Sequence, residues 1–139
     1  MEIYRSLYFS LEKANTGKKK ILNDLWEEYR KALQYFIDWG YCHKQLPRYT
    51  VVKMYPLTTR LNATYLVQIM REACRILRSS HLKAKTVPRI QNTSLRLNNN
   101  VAILESGKND FDYWLKIRIP WMQKWVYYPL KDYEYAKKI

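Results

Sequence analysis

Gln68, Arg71, Arg75 and Arg78 recur at three- and four-residue spacing, and Glu72 is the only acid among them. That spacing brings side chains together on one face of a helix. Guanidinium forks match the oxygens of a phosphate, so this pattern could hold a polyanion. The positive run continues through Lys83, Lys85 and Arg89. The plainer alternative is a solvated helix face. A second set, Arg96, Trp114, Lys116 and Arg118, alternates with apolar residues and would offer a basic, aromatic strand surface. A third, Lys18, Lys19 and Lys20, opens a helix, where cations oppose the dipole. A solvated loop and a phosphate contact both account for it.

Reaction chemistry is harder to assemble. Two-metal hydrolysis needs converging carboxylates. Asp110 and Asp112 are close in sequence but fall in an expected turn with no third partner. Cys42 with His43, and Cys74 with His81, lack the spacing of paired metal ligands, so no metal site and no cofactor are expected. Gly17, Gly40 and Gly107 are the only glycines and make no phosphate-cradling loop. His43 and His81 offer no Ser-His-Asp arrangement. The expectation is a protein that binds and does not catalyse.

Composition points the same way. The net charge is +13, from 25 Lys and Arg against 12 Asp and Glu. Such an excess favours a polyanionic partner, nucleic acid before an anionic membrane surface. The 13 tyrosines and 5 tryptophans supply rings on which bases could stack; for any one of them a place in the core is the alternative. Two cysteines make no disulfide framework. Met1 is followed by Glu2 and an alternating pattern rather than an apolar run, so no leader is expected. No stretch has the length of a membrane span. A cytoplasmic location follows as the expectation.

These residues must be positioned by elements that the patterning predicts. Residues 2–12 alternate, with Ile3, Arg5, Leu7, Phe9 and Leu11 on one face, and predict a strand. Residues 18–39 carry Leu22, Leu25, Trp26, Tyr29, Leu33, Phe36 and Ile37 at helical spacing, with Gly40 as the stop. Pro47 and Pro56 exclude a continuous helix over 41–57, leaving one short element at 49–55. A second helix spans 61–80, capped by Thr58 or Thr59, burying Leu66, Ile69, Met70, Ala73 and Leu77. Strands follow at 86–91, 93–97, 101–105, 112–119 and 124–130. Turns at 98–100 and 106–110 separate the later ones. Tyr113, Leu115, Ile117 and Ile119 share one face; Trp114, Lys116 and Arg118 share the other. The fold class expected is α+β: a small, wedge-like antiparallel β-barrel from 1–12 and 84–130, with a helical insertion of two main helices over 13–83. The whole of 1–139 reads as one unit, with 131–139 as a C-terminal tail.

Several phrases carry a resemblance. The opening strand leads into a helix ending in aromatics. Leu61, Asn62, Ala63 and Thr64 open the second helix. Val87, Pro88, Arg89, Ile90 and Gln91 precede Ser94, Leu95, Arg96 and Leu97. The stretches 114–120 and 125–131 pair, ending in an "Ile-Pro…Pro-Leu-Lys" phrase. In this order the phrases resemble the N-terminal half of TnpB-like proteins, the OrfB products of insertion sequences, which are related to type V CRISPR effector nucleases. The resemblance implies a transposon-associated wedge and recognition region that holds guide RNA and the guide–target duplex. The family's RuvC-like nuclease domain would lie C-terminal to this region. The expected partner is thus structured RNA or an RNA–DNA duplex, with DNA as an alternative ligand. A different reading is the protein-interaction half of a split nuclease, docking on a separate catalytic subunit.

Overall fold

In the computed structural model, residues 9–10, 14–56, 58–78, 89–90, 95–98, 100–108 and 111–132 are described. The first helix, α1 (Thr16–His43), forms because one face repeats an apolar residue every three or four positions. Leu25, Tyr29, Ala32, Leu33, Phe36, Ile37 and Gly40 are all buried along it. Asn15 caps its start, its Oδ1 accepting from the Lys18 amide at 2.8 Å. Its end is closed by Lys44 in the left-handed region at φ 53°, whose N–H donates to the Gly40 carbonyl.

Gly40 does not stop the helix as its residue type suggested. It lies inside α1, where a Cβ would come 2.5 Å from Leu77 Cδ1 and 3.0 Å from the Gln45 carbonyl oxygen. The glycine serves a close helix–helix approach. The short element over 49–55 is one turn, α2 (Tyr49–Val52), which buries Val51 and Val52. The next helix, α3 (Ala63–Arg78), is capped by Asn62, not by Thr58 or Thr59. Asn62 Oδ1 accepts from the Tyr65 amide at 3.0 Å, while Thr59 Oγ1 accepts from the Leu61 amide outside the helix.

Antiparallel strands follow the helices: β2 (Ala102–Lys108), β3 (Phe111–Ile119) and β4 (Lys124–Asp132). A two-residue strand, β1 (Phe9–Ser10), adds to the free edge of β4, with Phe9 opposite Asp132 and Ser10 opposite Lys131. The order across the sheet is β1-β4-β3-β2. The first strand does return to the late ones, yet the sheet stays open. Among the described residues β1 and β2 are its two edges and no ladder joins them, so the barrel expected from the sequence is not formed. Closure needs enough tilted strands to bring the last back to the first, and three substantial strands are too few. Residues 95–97, expected to be strand, are irregular; most of 86–94 lies outside the described residues. Strand β2 runs on to Lys108 and β3 resumes at Phe111, so the turn expected at 106–110 is narrower than its composition suggested.

The period-two reading of β3 holds over its second half; Tyr113 and Leu115 are only half-buried, as are Trp114, Lys116 and Arg118 on the other face. Ile117 and Ile119 are buried and face Val126 and Lys124 across the β3–β4 ladder. Helices α1 and α3 pack together, with α2 against α3, and share one apolar cluster with Ile117, Ile119, Val126 and Tyr128 of the sheet. Two tyrosines bind the layers. Tyr65 of α3 donates to the Arg118 carbonyl at 2.5 Å, and Tyr128 of β4 donates to the Lys18 carbonyl at 2.9 Å.

Candidate nucleic-acid interface

The buried stripe of α3, from Tyr65 to Leu77, turns the opposite face outward. On that face Arg71, Arg75 and Arg78 are all exposed. Helical spacing set them in a row, and burial of Ile69, Ala73 and Leu77 keeps the row toward solvent. Residues 95–98 run alongside α3. Asn98 ties them to the helix, its amide donating to Gln68 Oε1 at 3.1 Å.

Between helix and segment lies a shallow groove of about 340 Å³, lined by Gln68, Arg71, Glu72, Arg75, Arg96, Leu97 and Asn98. A second hollow of about 290 Å³ adjoins it, sharing Gln68, Arg71 and Asn98 and adding Tyr49, Ala63, Thr64, Val67 and Asn100.

Charge in the groove is less simple than the count implied. Glu72, with a side chain only 10% exposed, takes two of the arginines. Arg75 grips it through both Nη2 and Nε, at 2.5–3.1 Å. Arg96 Nε lies 3.4 Å from the same carboxylate. The hydrogen bond to Glu72 holds the Arg75 guanidinium even more firmly protonated than usual. Arg71 and Arg78 meet no carboxylate among the described residues. Beneath the cluster the Tyr29 hydroxyl is buried near the Arg96 backbone, without a hydrogen bond of good geometry among the described residues. Burial first, and then the Glu72 charge, push its pKa up.

The other expected site residues are dispersed. Lys18 has its Nζ 5.6 Å from the Trp114 ring centre, within cation–π reach. Lys19 and Lys20 are exposed on α1, and Arg89 is exposed and does not line the groove. Lys116 and Arg118 approach the Trp125 ring at 5.1 Å and 6.0 Å. Lys116 also pairs with Glu105 at 2.9 Å, and that bond raises its pKa. Lys83 and Lys85 lie outside the described residues. The sheet's outer face is therefore aromatic and basic, but one of its two central cations is already paired.

Sequence reasoning missed Asn98, which lines both hollows, and Tyr49 and Asn100, which line only the second. Tyr49 sits in a stretch of weak pattern, and only the packing of α2 against α3 brings it beside Arg71. Its one signal was an aromatic flanked by Arg48 and Lys53.

The residues weighed for catalysis do ordinary work where they are described. His43 Nδ1 lies 2.7 Å from the Trp39 carbonyl and its ring stacks on Trp39. Cys74 is buried against the Pro47 carbonyl at 3.4 Å, and burial raises its thiol pKa. Asp110, His81 and the Asp112 side chain lie outside the description. Among the described residues no cluster of His, Cys, Asp and Glu could hold a metal ion, and no helix is long and apolar enough to cross a membrane. No family model, curated protein or solved structure matches this chain.

Proposed function

We propose that this chain is a noncatalytic nucleic-acid-binding module that holds structured RNA or an RNA–DNA duplex by its phosphates along α3. The observation that carries the reading is the exposed row Arg71, Arg75 and Arg78, with Arg96 added across the groove. Backbone phosphates repeat along a duplex, and a row of guanidinium groups on a rigid helix meets them without ordering cost in the scaffold. The net charge of +13 supplies long-range attraction. A cytoplasmic, transposon-associated role in guide handling, as in the N-terminal part of TnpB-like proteins, is the setting we assign. It rests on the order of the elements and the quoted phrases, and it no longer includes the barrel.

A second reading has its own observation. Strand β2 is a sheet edge on which Ile103 and Leu104 are 37% and 47% exposed. An open apolar edge favours strand addition by another protein, such as the catalytic half of a split nuclease.

The test is a titration of matched structured RNA, RNA–DNA hybrid, DNA duplex and single strand across salt concentrations. We expect RNA or hybrid to bind tightest at physiological salt. Changing Arg71, Arg75 and Arg78 together to Gln should flatten the log–log salt slope by about one per lost contact. A triple variant with unchanged affinity and slope rules out α3 as the binding face.

A further inference from the structure

The hollow beside Arg71 has features that phosphate binding does not use. Tyr49 stands 53% exposed at its rim, on α2, with the Lys53 ammonium 5.3 Å from its ring centre. Asn98 and Asn100, both exposed, line the hollow as well. Asn98 Oδ1 is occupied by the Asn100 amide at 2.9 Å. Its Nδ2 and the whole side-chain amide of Asn100 meet no partner among the described residues. Half-buried Val67 adds an apolar side chain to the lining.

We infer that this hollow takes one unpaired nucleobase of an RNA whose backbone lies on α3, stacked on Tyr49 and read at its edge by Asn98 and Asn100. The inference rests on the proposed function and narrows it: the preferred ligand is duplex RNA with an adjoining unstacked base. Each part has its reason. A flat ring accepts any base by its face. Side-chain amides present a donor and an acceptor together, the complement of a base edge. Arg71 lines both hollows, so a phosphate it holds lies next to the hollow that takes the base. A volume of about 290 Å³ is at the small end of ligand pockets, the size for one planar ring system and not for a folded peptide loop. An acidic peptide would use Arg71 but would leave the ring and the amides idle.

The experiment compares a blunt RNA duplex with the same duplex carrying one unpaired 2-aminopurine. Wild type, Tyr49→Phe and Tyr49→Ala are titrated with each. Wild type and Tyr49→Phe should bind the unpaired-base RNA about ten-fold more tightly than the blunt duplex and quench the analogue's fluorescence. Tyr49→Ala should lose the preference and the quenching while keeping wild-type affinity and salt slope for the blunt duplex. Retained preference in Tyr49→Ala, or equal loss on both RNAs, overturns the base pocket and leaves the α3 reading standing. Failure of wild type to bind either RNA overturns both.

Discussion

Glu72 pairs with both Arg75 and Arg96, so in the proposed reading it would compete with phosphate for them. Its carboxylate is nearly buried, so the attraction is screened less than in a surface pair. Glu72→Gln should keep the shape of the site and release both guanidinium groups. RNA affinity should rise several-fold and the salt slope should steepen by about one or two contacts. Filter binding at several salt concentrations reads both; a fall in affinity would mean that Glu72 positions the arginines for binding. The row of arginines was legible from spacing alone. The pairing was only half legible: Glu72 and Arg75 are a local three-residue pair, whereas Arg96 arrives from a segment far along the chain.

At the scale of elements, Gly40 shows what periodicity leaves open. Alanine would favour an isolated helix over glycine by about 1 kcal/mol. In the folded chain an alanine methyl at position 40 meets Leu77 Cδ1 and the Gln45 carbonyl at contact distances of 2.5 and 3.0 Å. A backbone oxygen cannot turn aside as a flexible side chain can. Gly40→Ala should therefore destabilise the protein by about 1–3 kcal/mol. A urea midpoint equal to wild type would show that α1 and α3 can separate at no cost. Helices α1 and α3 were visible in the sequence because their apolar stripes are long. Their ends were misjudged, since a glycine reads alike as a stop and as a close contact. Thr59 and Asn62 are both cap residues by type, and Asn62 has the helical register.

At the scale of the whole molecule, buried tyrosines join helix layer to sheet. Burial pushes the Tyr128 hydroxyl up to about 12 and also raises Tyr65, which lies near Tyr128. An unfolded tyrosine ionises near pH 10. Below that pH both states hold the proton and stability does not vary with pH through these groups. Between pH 10 and about 12 the unfolded chain releases protons that the folded chain retains, so stability falls as pH rises, by up to about 1.4 kcal/mol per unit per tyrosine. Urea midpoints from pH 8 to 11.5 should drop steeply above pH 10. Tyr128→Phe should cost about 1 kcal/mol at pH 8, for its bond to the Lys18 carbonyl, and then decline less with pH. An identical decline in the variant would remove Tyr128 from the account.

The α+β composition, the two main helices, the alternation at the end of β3 and the basic row on α3 were all determined by the sequence. Each depends on residues within a few turns or positions of one another, and local periodicity records such relations. The open sheet, the pairing of Glu72 with Arg96 and the placing of Tyr49 beside Arg71 were decided only by the tertiary structure. Whether a sheet closes depends on how many strands pair and at what tilt. Which distant side chains meet depends on the packing of whole elements. Neither quantity is written in any short window of the chain.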